Sequence, residues 1–294
     1  MTDTSPSISA VALALCASAL YGTADFFGGL AARRSSTFAV VLISQAAGLA
    51  VLAAALAMLP PSHPRPVDLG WGAAAGAFGT LGIFLLYEAL ATGRMSTVAP
   101  VTGIWAVAIP VIAGLAIGER PLLRAKVGLV FALAAIVLVA QDAENREPTA
   151  AQRAFPRIRL AKPVVLALIS GIAIGGFYIC LKQTRIAAGA WPILAARTVS
   201  SSGLAVIGIL SRRRLTVPRA QLPQVVAVGV LDMGANVLYT LAAQRGLLSL
   251  VATITSLYPA ATIIWARLLL RERIRLLQGF GLGFALIAVL LIAG

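Results

Sequence analysis

Three carboxylate side chains lie inside long apolar stretches of this sequence, where a charged group is costly and marks a functional position. Asp232 is followed four residues later by Asn236, which places both side chains on one face of a helix. Asp25 has the same spacing from Tyr21, and Glu88 lies toward the end of its stretch. A carboxylate in such a place can bind a proton or a cation in one state and release it in another. Asp232 is our leading candidate for this role.

Arg197 is a basic residue well inside an apolar stretch. Its guanidinium can bind a carboxylate of a solute through two parallel hydrogen bonds, or it can be the counter-ion of a structural carboxylate such as Asp232. The sequence leaves both interpretations open. Several aromatic side chains can wall a cavity or simply pack between helices, namely Tyr21, Trp105, Tyr178, Tyr239 and Tyr258.

These side chains must be positioned by membrane-spanning helices. The chain is 60% hydrophobic and 12% charged, whereas a soluble domain carries roughly 25% charged residues. A membrane span needs about 20 apolar residues and satisfies its backbone polar groups only as a helix. The sequence therefore predicts an all-α polytopic membrane protein with ten transmembrane helices, near 9–31, 37–59, 69–92, 95–117, 123–140, 162–182, 191–210, 221–244, 248–269 and 275–293.

The formal net charge of +14 does not indicate nucleic-acid binding. The Lys and Arg residues stand in short clusters between the apolar stretches, as in the loops of membrane proteins, and are not gathered in one tail. The single His63 lies in a proline-rich loop, and no His/Cys cluster has metal-binding spacing. We therefore expect no nucleic-acid partner, no metal and no cofactor. An intramembrane enzyme acting on lipid-linked substrates is a weak alternative.

The chain divides into two related halves, 1–140 and 162–294, joined by a polar linker at 141–161. A shift of 153 positions brings Gly93 onto Gly246, and about 19 of the 48 consecutive positions that begin there are identical. This similarity indicates an internal duplication. Because each half contains five predicted helices, the second half enters the membrane from the opposite side.

Inverted repeats are typical of secondary transporters, whose substrate site lies near the membrane midplane at the repeat interface. In the duplicated frame Gln45 aligns with Thr198, one position from Arg197, so we expect Gln45 to line the same cavity opposite Arg197. The chain has no G-x-x-x-x-G-K-[ST] motif for ATP, so the energy must come from an ion gradient or from the gradient of the solute. We favour a proton-coupled exporter.

Two matching motifs resemble those of a known family. Gly118–Arg120 and Arg271–Arg273 each close a predicted helix, and each precedes a helix with a central glycine, Gly128 or Gly281. With Tyr258–Pro259 ahead of the second motif, the whole chain resembles the paired EamA domains of the drug/metabolite transporter superfamily. We expect a structural or gating role, at the helix ends, for Glu119, Arg120, Glu272 and Arg273.

The resemblance implies a multi-pass protein of the cell inner (plasma) membrane that exports small metabolites or amino acids by alternating access and is not an enzyme. A lipid flippase, a facilitator or a channel on the same fold stays open. Family members commonly have an arginine in the second helix of each half, which Arg197 matches, whereas the first half reads Ser44–Gln45. The Lys/Arg bias favours both termini outside, whereas the family is generally drawn with termini inside. Ten helices in two halves can close a cavity within one chain, which is consistent with a monomer but leaves the oligomeric state open.

Overall fold

The computed structural model describes residues 8–56, 62–141, 162–212, 216–270 and 276–293. Over these residues the chain contains α-helices and two short 3-10 turns, with no strand. The helices are α1 (Ile8–Ala32), α2 (Thr37–Leu56), α3 (Pro66–Thr92), α4 (Met95–Ala116), α5 (Leu123–Gln141), α6 (Lys162–Lys182), α7 (Trp191–Leu210), α8 (Leu222–Ala243), α9 (Leu248–Thr255), α10 (Pro259–Leu270) and α11 (Leu276–Ala293).

The described helices have the length and apolar character of membrane spans. Eight segments in this part of the chain are long and apolar enough to cross a membrane, and α11 contains a shorter apolar helix, Gly279–Ile292. Large apolar side chains point outward along the bundle, among them Leu210 at 79% and Leu276 at 84% exposed. Such exposure suits contact with hydrocarbon and not with water. The predicted all-α polytopic membrane fold is confirmed.

The ninth predicted helix, 248–269, is interrupted, although its segment still forms one span. The helix α9 ends at Thr255 and α10 begins at Pro259, with a turn between them. Pro259 has no backbone N–H to continue the helical ladder and disfavours the helical conformation of the residue before it. The first half has Ala106 at the matching position, and α4 runs on there without interruption, although Pro110 lies within it.

The two halves pack about a two-fold axis. Among the most extensive contacts are those of α3 with α6 and of α1 with α8, which are equivalent when the halves are exchanged. The helices α5 and α11 pack on each other, and Phe131 contacts its own counterpart Phe284 with ring centroids 5.2 Å apart. Because five spans per half give the halves opposite orientations, the axis lies in the membrane plane. The fold is a pair of inverted repeats.

Basic side chains close the carbonyl ends of α3 and α8. Arg33, just beyond α1, donates to two carbonyl oxygens at the end of α3, at 3.2 and 3.0 Å. Lys182, in the last turn of α6, donates to two at the end of α8, both at 2.6 Å. Cations there satisfy free carbonyl groups and face the negative ends of the helix dipoles. The four acceptors match across the halves, Leu90 with Ala243 and Gly93 with Gly246.

The contacts between the halves differ at the two membrane surfaces. The surface where α1 begins is called the termini side, and the surface where α5 ends is called the linker side. On the termini side Arg185 donates to Asp68 at 2.6 Å, and Glu119 accepts from two backbone amides at the start of α9, at 2.6 and 2.9 Å. On the linker side Ser35 donates to Gln221 at 2.6 Å. Asp68 and Gln221 are matching positions, so the equivalent contact is charged at one surface and neutral at the other.

Candidate functional site

A cavity lies between the two halves and straddles the two-fold axis. It is lined by α1, α2, α3, α6, α7, α8 and the turn after α9. A solute in this space contacts both repeats at once. Five pairs of matching positions line it, namely Tyr21 with Ile174, Asp25 with Tyr178, Gln45 with Arg197, Gly79 with Asp232, and Ile83 with Asn236.

Close backbone contacts fix the register of the helices around the cavity. A Cβ added at Gly76 of α3 would meet the backbone of Ala196, and one added at the matching Gly229 of α8 would meet the backbone of Ser44. The two glycines are related by a shift of 153 positions, whereas Ser44 and Ala196 are related by 152. The second helices of the two halves, α2 and α7, are therefore related by a shift of 152 positions, one less than the shift of 153 in the rest of the duplication.

This register places Gln45 where the other half has Arg197. The alignment of Gln45 with Thr198 is therefore wrong by one position, because the shift found elsewhere in the duplication does not extend to the second helix. Gln45 and Arg197 line the same cavity. Ser200, one turn after Arg197, donates from its hydroxyl to the Gln45 side-chain oxygen at 3.3 Å and so joins α7 to α2.

Arg197 and Asp232 form a buried ion pair between a guanidinium nitrogen and Asp232 Oδ2, with side chains 8% and 13% exposed. The Asn236 amide donates to the backbone oxygen of Asp232 at 2.6 Å and to its Oδ2 at 3.3 Å. The Tyr21 hydroxyl donates to Asn236 Oδ1 at 2.8 Å. These four residues form one network that joins α1, α7 and α8. In this conformation Arg197 is the counter-ion of Asp232.

Asp25 lines the same cavity without a polar partner. It is 4% exposed, and within the described residues its carboxylate makes no hydrogen bond or ion pair. The nearby Tyr87 hydroxyl donates instead to the carbonyl oxygen of Ala24 at 3.4 Å. Tyr258 is also a residue of the cavity wall, and its buried hydroxyl has no partner in the described part of the chain. A buried carboxylate is costly unless it takes a proton or is paired with a cation.

The predicted aromatic residues divide between the cavity wall and the packing behind it. Tyr178 lines the cavity, with its ring centroid 6.4 Å from that of Tyr21. Tyr239 stacks behind Tyr178 at 4.4 Å and donates from its hydroxyl to the Tyr178 carbonyl at 3.0 Å. Trp105, which matches Tyr258 in the first half, is 37% exposed. The aromatic wall therefore comes mainly from Tyr21, Tyr178 and Tyr258.

Other predicted residues lie away from the cavity. Glu88 is near the end of α3, where it accepts a hydrogen bond from Thr37 at 2.8 Å. Glu119 binds the first turn of α9, as described above, and its neighbour Arg120 is exposed. The matching motif residues Glu272 and Arg273 lie outside the described residues.

The sequence pattern does not reveal every residue of the site. Ser200 and Phe177 line the cavity but carry no charge that would mark them in an apolar stretch. The helical spacing of Ser200 from Arg197 is the signal that could have found it. The ion pair of Arg185 with Asp68 escapes the pattern because both residues lie just outside the predicted spans.

One family model matches the chain twice, over residues 8–141 and 161–294, and its description is the EamA-like transporter family. This chain belongs to that family. The two matched ranges differ by the same 153 positions as the internal duplication, so each match covers one repeat. The resemblance in the sequence is confirmed. The EamA-like chain is a multi-pass membrane protein of a transporter family, and this family membership implies movement of a small solute and not catalysis.

The solved structures include a close match to the fold of this EamA-like chain. One of them, described only as a crystal structure of a protein, has a TM-score of 0.71, covers 98% of each chain and is 16% identical in sequence. At that identity the likeness shows the fold alone. No curated protein matches the chain.

Proposed function

We propose that this EamA-like chain is a secondary transporter that exports a small metabolite or amino acid in exchange for protons by alternating access. The observation that carries the proposal is the cavity between the repeats, which both halves line at matching positions and which contains an unpaired carboxylate. We place the protein in the cell inner (plasma) membrane. One chain encloses the cavity, so the transporting unit in this proposal is a monomer.

Alternating access requires that the halves separate at one surface while they stay in contact at the other. The contacts that would separate on the termini side are the Arg185–Asp68 ion pair and the binding of Glu119 to the start of α9. On the linker side the hydrogen bond from Ser35 to Gln221 would break instead. Because both halves line the cavity, their separation at one surface opens the cavity to that side of the membrane only.

In this proposal Asp25 is the residue that couples proton movement to solute movement. Asp232 has a supporting role as the partner of Arg197. Protonation of Asp232 would leave the guanidinium of Arg197 buried without a counter-ion, which costs several kcal/mol. Protonation of Asp25 leaves no other charge unpaired. Asp25 can therefore take up a proton when the cavity faces one side and release it when the cavity faces the other.

The test uses purified full-length chain in liposomes with a trapped pH dye and an imposed pH gradient. Amino acids, amines and sugars are added in turn, and uptake of the same radiolabelled solutes is followed in parallel. We expect solute-dependent proton movement with the wild type and with the control Glu144→Gln, which removes a carboxylate from the linker. Asp25→Asn should abolish the proton movement, and Asp232→Asn should reduce it.

Two outcomes would contradict the proposal. Uptake of a solute without proton movement would indicate a facilitator and would remove the coupling role from Asp25. Absence of uptake for the whole panel would favour a lipid flippase, which an assay of labelled lipid movement in the same liposomes would detect.

A further inference from the structure

The positive and negative charges of the side chains that line the cavity do not cancel. Three charged side chains line it, namely Asp25, Arg197 and Asp232. Arg197 keeps its positive charge in proteins, and Asp232 neutralises it in the ion pair. With both carboxylates ionised, the described wall of the cavity carries one net negative charge, and that charge lies on Asp25.

Two of the other polar side chains of the wall accept hydrogen bonds from neighbouring wall residues. Asn236 accepts the hydrogen bond of Tyr21 at 2.8 Å, and Gln45 accepts that of Ser200 at 3.3 Å. Within the described residues, no donor turns toward Asp25, which is 4% exposed. The carboxylate oxygens of Asp25 are therefore available to a ligand inside the cavity.

A second polar atom at the cavity has no partner. The Tyr258 hydroxyl is buried, and the described part of the chain offers it no hydrogen bond. A phenolic oxygen can accept a hydrogen bond from an N–H group. The rings of Tyr21 and Tyr178 line the same space, and the face of an aromatic ring attracts a cation. The cavity wall thus combines an unpaired carboxyl group with aromatic side chains.

We infer that the solute is a small organic monocation with a primary ammonium group, and that Asp25 binds this group. The inference rests on the proposed transport function. The N–H donors of a primary ammonium match the Asp25 carboxylate, while the aromatic wall contacts the rest of the solute. An anion or a zwitterion fits less well because neither neutralises the negative charge that Asp25 adds to the neutral Arg197–Asp232 pair.

A proton and an ammonium ion then compete for one carboxylate, so binding should weaken as the pH falls. The titratable or charged groups that line the cavity with Asp25 are Tyr21 on α1, Tyr178 on α6, Arg197 on α7, Asp232 on α8 and Tyr258 after α9. On α3, the Tyr87 hydroxyl donates to the carbonyl oxygen of Ala24, next to Asp25. Phenols stay neutral and guanidinium stays charged around neutral pH. Asp232 is held in the ion pair with Arg197. The pH dependence of ammonium binding therefore reports on Asp25.

The first experiment compares four ligands with one phenyl ring and different charge by isothermal titration calorimetry on the full-length chain in detergent. The probes are phenethylamine, phenethyl alcohol, phenylacetate and phenylalanine. We expect phenethylamine to bind at least about ten-fold more tightly than the other three, which is the effect of one charge-assisted hydrogen bond. Its affinity should fall when the pH is lowered. Equal or tighter binding of the alcohol or of phenylalanine would overturn the inference.

Two variants locate the ammonium. Asp25→Asn should weaken phenethylamine binding by about ten-fold or more, whereas Asp25→Glu, which keeps the charge, should stay within a few-fold of wild type. Glu144→Gln in the linker should bind as the wild type does. Unchanged binding in Asp25→Asn would overturn the inference. If neither variant folds, the ligand series on the wild type still decides it.

The liposome assay separates this inference from the proposed function. Transport of phenylalanine by a protein that does not bind phenethylamine would overturn the ammonium site and leave the transport function intact. Binding of phenethylamine at Asp25 without passage of any solute would overturn the transport function and leave the ammonium site intact.

Discussion

Gly229→Ala is a direct test of the backbone contacts that shape the cavity. A Cβ at this position would meet the Ser44 carbonyl oxygen, and the Cα of Ser44 would lie 3.0 Å away. These are backbone atoms of α2, so the clash cannot be relieved by a side-chain rotation. The helices α2 and α8 would have to move apart, which would also move the cavity wall that they carry.

The expected magnitude follows from two opposing effects. Overpacking of a tight contact costs about 1–3 kcal/mol, and the rigid backbone neighbour places this case at the upper end. Replacement of a helical glycine by alanine contributes roughly 1 kcal/mol in the opposite direction. We therefore expect Gly229→Ala to lower the free energy of unfolding by about 2 kcal/mol. Gly76→Ala should act similarly, because its Cβ would meet the Ala196 backbone in the equivalent place.

The matched control is Gly203→Ala in α7, where nothing lies within 4 Å of an added Cβ. This variant should raise the free energy of unfolding by up to about 1 kcal/mol, because only the helix-propensity effect remains. The measurement is unfolding in mixed micelles by titration with a denaturing detergent, followed by tryptophan fluorescence. Equal changes in Gly229→Ala and Gly203→Ala would refute the close approach, and opposite signs in Gly229→Ala and Gly76→Ala would refute the two-fold equivalence.

Two further substitution series test the polar contacts by the same unfolding assay. Arg197→Gln and Asp232→Asn should each destabilise the fold by about 3 kcal/mol or more, whereas the double variant should cost clearly less than their sum, since no buried charge is left unpaired. Additive costs would show that the two side chains do not stabilise each other. Glu119→Gln should cost roughly 1 kcal/mol by weakening the cap of α9. The exposed Arg120→Gln is its control, and an equal loss in both would contradict the cap.

The sequence predicts the helices well because lipid imposes a simple rule on every span, namely apolar length with internal hydrogen bonds. It also predicts the inverted repeats, because five spans per half determine the relative orientation. It leaves open whether Arg197 binds a solute or is the counter-ion of Asp232, which is what the structure has. That choice depends on how α1, α7 and α8 are rotated against one another. The one-residue shift that pairs Gln45 with Arg197 likewise emerges only from helix packing.

The symmetry of this protein lies in its backbone contacts, whereas its charges break that symmetry. The helix-end caps and the glycine contacts recur in both halves, which gives the two end states of a rocking motion comparable packing. Every charged position of the cavity, in contrast, has an uncharged counterpart, namely Tyr178 for Asp25, Gln45 for Arg197 and Gly79 for Asp232. Solute recognition and conformational balance therefore depend on different residues. Substitution of Asp25 should change what binds, whereas substitution of Arg185, which joins the halves on the termini side, should change which surface is open.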